Sequence, residues 1–432
     1  MTNPPHRTKA KVAAAIAVGA IIIIAFGATY FVFASGGSRK STTQNSQTSI
    51  VLTSPVPSAI LPSIKDFEGF GWSVAVSGNV VIVGAPNETV SGEADSGRAY
   101  IFNAQSGALV STLTSPNPER SGEFGLSVAA NGTDAVIGAP SETADGVAGA
   151  GHAYIFNTTT GLLLMTLTSP AAQSYGGFGS SVAASSRLVV VGADDEEAGG
   201  ALKGGHAYAF LLSTGTSADN LTSPVPAIGG WFGESVAVAG SFIVVGAPHE
   251  YSDGLQSASR AYVFNGTTGR VVDTLASPNP QTLGGFGLSV AANKANVIVG
   301  APFENASGLL SAGHVYVFGI VSGALLDGLH SPNADTGGNF GWSVAADPSA
   351  FVVGATYDRS NGTTSSLDSG LAYVFDFATT SLMSTLTTPS VSTGFGFGFS
   401  VALGSGMAVA SNPFTIDSNA SLYSNGVVVV SH

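Results

Sequence analysis

The 432-residue chain contains no cysteine. That excludes disulfides, thiolate metal sites and cysteine nucleophiles. Charge is scarce as well. Asp, Glu, Lys and Arg together make up 9% of the chain, far below the roughly 25% usual for soluble domains. Ser, Thr, Asn and Gly must then supply most of the polar surface, a composition that suits an exported coat better than a cytoplasmic enzyme. Lys and Arg total 14 against 27 Asp and Glu, for a net charge of −13. The basic residues do not cluster within the repeats described below, so no nucleic-acid footprint is expected. No nucleophile elbow, zinc signature or phosphate loop occurs. No catalytic residue is therefore assigned, and an enzyme is not expected.

Hydrophobic residues are plentiful, at 44%, enough for a large core. One apolar run stands apart. Residues 12–34, VAAAIAVGAIIIIAFGATYFVFA, carry no charge. As a helix they would extend about 34 Å, enough for a ~30 Å hydrocarbon layer. Arg7, Lys9 and Lys11 precede the run, and Arg39 and Lys40 follow it. The reading is a cytoplasmic tail at 1–11, a transmembrane helix at 12–34 with its N-terminus inside, and a flexible stalk at 35–47. The alternative is a cleaved signal peptide ending near Phe33-Ala34-Ser35. Either way the protein is expected outside the cell, anchored at the cell membrane or secreted.

The rest of the chain repeats. A Phe-Gly-x-Ser-Val-Ala motif or its variant starts at Phe70, Phe124, Phe178, Phe232, Phe286, Phe340 and Phe397. Fourteen residues on stands Gly-Ala-Pro, as at Gly84-Ala85-Pro86 and Gly138-Ala139-Pro140, decaying to Ser411-Asn412-Pro413 in the last unit. Ala-Tyr-x-Phe and Leu-Thr-Ser-Pro follow, as at Ala99–Phe102 and Leu113–Pro116. Each unit thus holds four short runs rich in Val, Ile, Phe and Tyr, separated by turn residues. In the second unit they are 124–130, 135–139, 152–156 and 162–168. Such runs are too short for helices and read as strands. Four antiparallel strands in each of seven units is the pattern of a β-propeller.

The last unit stops after its third run, while one extra Leu-Thr-Ser-Pro stands early, at Leu52-Thr53-Ser54-Pro55. Residues 49–53 should therefore pair beside 427–430. The expected fold is all-β, a seven-bladed propeller over 48–432 closed by this 3+1 strand exchange and preceded by the transmembrane helix.

These motifs resemble the FG-GAP repeats of integrin α-subunit propellers, and still more the short prokaryotic form of that repeat. The resemblance implies a propeller used for adhesion or recognition. Many repeats of that family carry an Asp-rich calcium loop between the first two strands. Here the corresponding turns, such as Asn131-Gly132-Thr133-Asp134, hold at most one Asp and are too short to wrap an ion. No calcium or other cofactor is expected.

An acid stands four residues past each motif Gly: Glu88, Glu142, Glu196, Glu250, Glu304 and Asp358. Ten residues after the first five comes Arg98, His152, His206, Arg260 or His314; the sixth unit has Leu371. Both positions should lie on one rim of the ring. They read as exposed pairs that brace a loop, or as a ring of groups that binds a ligand or cations. Asp194, Asp195, Glu196 and Glu197 form the densest acidic run, either a solvated loop tip or a divalent-ion spot. Eight Asn-x-Ser/Thr sequons, at Asn87, Asn131, Asn157, Asn220, Asn265, Asn305, Asn361 and Asn419, offer glycosylation sites. Trp72 and Trp342 share one repeat position, and Trp231 stands beside it; packing between blades is the expected role.

The expected function is a membrane-anchored cell-surface recognition or adhesion module. Its partner would be a protein or a glycan, held by the loops of one propeller face. The alternatives are a structural envelope component, in a surface layer or filament, and an extracellular hydrolase.

Overall fold

A computed structural model of the chain describes residues 49–53, 69–250, 259–359, 370–387, 396–416, 422–423 and 427–431. Its regular unit is a sheet of four consecutive antiparallel strands. In the second blade these are Ser127–Asn131, Asp134–Ala139, His152–Asn157 and Leu163–Thr168. The two middle strands are buried almost throughout, whereas the fourth is mostly exposed. That gradient explains the residue types. Val136, Ile137, Tyr154 and Ile155 face neighbouring blades on both sides of the sheet, so no polar residue interrupts them. The core accordingly lies between blades. Ile82, Ile101 and Leu113 of the first blade pack with Val128, Ala135, Ile137 and Phe156 of the second.

The innermost strands approach until backbone meets backbone. A Cβ on Gly138 would stand 2.0 Å from the carbonyl oxygen of Gly179 in the next blade. Gly84, Gly192, Gly246, Gly300 and Gly354 have the same relation to Gly125, Gly233, Gly287, Gly341 and Gly398. The motif Ser donates to that same carbonyl: Ser127 Oγ to Gly179 O at 2.8 Å, with Ser73, Ser181, Ser235, Ser289 and Ser343 alike. Each motif Phe is fully buried, and the first six meet the strand-three Phe edge-on, as Phe124 meets Phe156 at 5.9 Å and 89°. Phe-Gly, Ser and Gly-Ala are thus one device that docks a blade on its neighbour.

Six blades are built this way, over 73–114, 127–168, 181–222, 235–276, 289–329 and 340–386. The expectation of seven blades behind a transmembrane helix is corrected to a six-bladed all-β propeller of such units. The last unit lacks the acid and the tyrosine that the six share, and the base of the first five. Its strands Val401–Gly404 and Met407–Asn412 belong to a composite sheet with Val427–Ser431 and Ser49–Thr53. In that sheet Ser49 pairs with Ser431 and Thr53 with Val427, so the two chain ends do meet as strands. No helix among the described residues is long and apolar enough to cross a membrane. Residues 12–34 lie outside the described residues, as do the tail and stalk.

Trp72, Phe399 and Trp342 pack together at the shared repeat position, with ring centroids 5.0 and 5.8 Å apart across Phe399. They knit the composite sheet to the blades on either side of it.

Candidate functional site

Antiparallel order places the loops from strand two to three and from strand four to the next strand one at one end of every sheet. The acid register opens the first kind of loop. It is not an exposed rim, as its sequence position suggested. Glu88, Glu142, Glu196, Glu250, Glu304 and Asp358 are at most 2% exposed. Each accepts a hydrogen bond from the strand-three tyrosine of its own blade: Tyr100, Tyr154, Tyr208, Tyr262, Tyr316 or Tyr373, at 2.5–2.8 Å. Burial, then the adjacent carboxylate, pushes these phenols far above their ordinary range, so they remain donors.

The preceding blade closes the cluster. The Ser of its Leu-Thr-Ser-Pro motif reaches across the junction. Ser169 donates to Glu196 at 2.5 Å, and Ser277 and Ser331 donate to Glu304 and Asp358. Ser115 and Ser223 bond the tyrosine hydroxyls of Tyr154 and Tyr262, and Ser223 also acts on Glu250. The acid also lies against a glycine two residues before the next Phe, as Glu142 Cγ does on Gly122. Sequence reasoning passed over this Gly and this Ser. Their signal was present, since they stand 20 and 27 residues before the acid in repeat after repeat.

The bases join the clusters from the surface side. Arg98 donates to Glu88 at 3.1 Å, and His152 Nδ1 lies 2.9 Å from Glu142. His206 and His314 stand 3.2 and 3.3 Å from Glu196 and Glu304, close enough to pair but not aligned for a hydrogen bond. Arg260 acts on Glu250 by its charge, opposing the rise that burial imposes on that carboxyl. Asp358 has the buried Leu371 there. Burial pushes its carboxyl up to about 7 against the bonds from Ser331 and Tyr373, and Asp335 adds to the rise.

Further ties hold the loops. Glu119, Gln173, Gln281 and Asp335 each accept the amide of the residue following the next blade's acid, at 2.8–3.3 Å. The 223–231 loop carries Ala227 at this position. There Trp231 meets His249 edge-on at 4.4 Å, and Gly229 bonds the Leu202 carbonyl.

Over this base the exposed side chains are unevenly distributed. The three junctions from blade two to blade five carry Tyr175, Val225, Ile228 and Leu283, all at least half exposed, and Leu202 stands between them. The junctions on either side present Asn117, Glu119 and Arg120, or Asn333 and Asp335. Tyr175 and Leu283 hold left-handed backbone, φ 59° and 61°, where the equivalent residues are Gly229 and Gly337. A side chain there costs about 1 kcal/mol or more; Ser121 takes the same conformation at the first junction, and the Tyr175 ring rests against Gly149.

The acidic run does not converge. Asp194 and Glu196 are buried, Asp195 pairs with Lys203 at 3.2 Å, and Glu197 points to solvent. Among the described residues no group of three or more His, Cys, Asp or Glu is placed to hold a metal ion. Of the sequons, Asn220 and Asn305 are exposed and Asn131 is half-buried. Asn87 is buried, and Asn157 and Asn265 spend their side-chain oxygens on turn amides. Asn361 and Asn419 lie outside the described residues.

Residues 65–102, 108–156, 216–264 and 328–375 match the FG-GAP repeat family. No curated protein matches the chain. The matched segments fall on blades one, two, four and six, and the intervening blades repeat their residues and geometry. The chain is an FG-GAP repeat β-propeller protein.

Proposed function

We propose that this propeller is a recognition module that binds a protein or glycan partner through the apolar arc of its loop face, acting outside the cell and without catalysis. The observation that carries the reading is the pair Tyr175 and Leu283. Both are large, exposed and apolar, on left-handed backbone that glycine occupies at equivalent junctions. Large apolar side chains that stay more than half exposed on backbone that disfavours them point to use at the surface. The buried Glu–Tyr–Ser clusters beneath hold the loops in place, so little ordering would be lost on binding. The test replaces Tyr175, Leu202, Val225, Ile228 and Leu283 together by Ser and measures binding of the full chain to protein and glycan arrays. Loss of binding with an unchanged melting temperature supports the reading; unchanged binding rejects it.

One observation favours a second reading, a structural envelope component. The outer strands of five blades begin with exposed aliphatic pairs: Leu109-Val110, Leu163-Leu164, Val271-Val272, Leu325-Leu326 and Leu382-Met383. These lie at the opposite end of the sheets from the arc, and would serve lateral packing. Regular arrays of the purified protein in electron micrographs would favour this reading over the first.

A further inference from the structure

Five of the six buried acids face a base; Asp358 faces the apolar Leu371. Its Oδ2 accepts from both Ser331 Oγ and Tyr373 OH. Oδ1 is buried without a hydrogen-bond partner and lies over Gly338, where a Cβ would meet it at 2.1 Å. The Tyr373 hydroxyl also lies 3.1 Å from Ser331 Oγ and accepts from Asn333 Nδ2 at 3.3 Å. The charged groups nearby are Asp335, whose carboxylate repels a second negative charge while its backbone amide hydrogen-bonds Asp358 and partly opposes that rise, and Arg359, whose amide bonds Asp335. His330, exposed, rests its ring on the Ser331 carbonyl.

A buried carboxylate with one oxygen unpaired and an acid as neighbour is costly, whereas a neutral carboxyl group in the same place is not. We propose that Asp358 is a proton-binding site, and that the junction between the fifth and sixth blades is held by its protonated carboxyl group and loosens when the proton leaves. Position 371 sets this behaviour. The other five blades carry Arg or His at its place.

The direction follows from linkage. Asp358 holds its proton in the folded chain to about pH 7, but releases it in the unfolded chain near the ordinary value of 3.8. Between those limits the folded state binds more protons. The stabilisation is complete below the lower limit and is lost as pH rises through the upper one.

The experiment is thermal unfolding of the full chain at pH 5.5 and 8.5, for the wild type, Asp358→Asn, Leu371→Arg and the control His330→Gln. The wild type and the control should lose several degrees more on alkalinisation than Asp358→Asn and Leu371→Arg. Equal losses in all four would overturn the proposal. If Asp358→Asn does not fold, infrared spectroscopy of the wild type decides. A protonated-carboxyl band at pH 5.5 that vanishes by pH 8.5 is expected, and its absence at both values contradicts the proposal.

Discussion

An added Cβ on Gly138 would stand 2.0 Å from the carbonyl oxygen of Gly179, so the second and third blades touch backbone to backbone. Gly138→Ala should therefore force the second and third blades apart, at a cost above about 3–4 kcal/mol or the loss of folding. Gly132→Ala is the matched control. Gly132 is left-handed, φ 59°, but open space surrounds it, and only about 1 kcal/mol should be lost. Urea unfolding of both variants separates junction contact from backbone preference.

Tyr154→Phe removes the donor to Glu142 and leaves a buried carboxylate with fewer partners. A loss of about 1–3 kcal/mol is expected. In Tyr154→Phe/Glu142→Leu the orphaned charge is gone, and the double variant should be less destabilised than the two single changes summed. A double-mutant cycle by denaturant unfolding measures the coupling. Additive losses would show that the pair does not act as one unit.

The six strand-three tyrosines should resist alkaline titration, because burial and their carboxylates hold the phenols protonated. Ultraviolet absorbance at increasing pH should show these six of the 11 tyrosines ionising only as the protein unfolds. Their smooth ionisation near pH 10 in folded protein would contradict the buried clusters.

Much of the architecture is legible in the repeat itself. The second blade's central strands, read as 135–139 and 152–156, are Asp134–Ala139 and His152–Asn157 in the structure. The first strand begins later than its motif suggests. Gly125, φ 90°, turns the chain after Phe124, so pairing starts at Ser127. The acid register was found but misplaced. Spacing within a repeat shows that Glu142 and His152 meet. It does not show that Ser115 and Gly122 of the approaching chain close over them. The exposed arc was not legible, because the exposure of Tyr175 and Leu283 depends on backbone geometry that no motif marks.

Tyr175→Gly and Leu283→Gly separate surface use from fold. Glycine relieves the left-handed backbone, so each change should leave stability unaltered or raise it by about 0.5–1 kcal/mol. Binding should weaken in both. A fall in stability, read from the melting temperature, would instead assign these side chains to packing.

The recognition arc is tested most directly by comparing the wild-type chain with the Tyr175, Leu202, Val225, Ile228 and Leu283 to Ser variant on one protein and glycan array. The wild type should retain a ligand that the variant, melting at the same temperature, binds at least tenfold more weakly. Equal binding by the two would contradict the arc as the site of recognition.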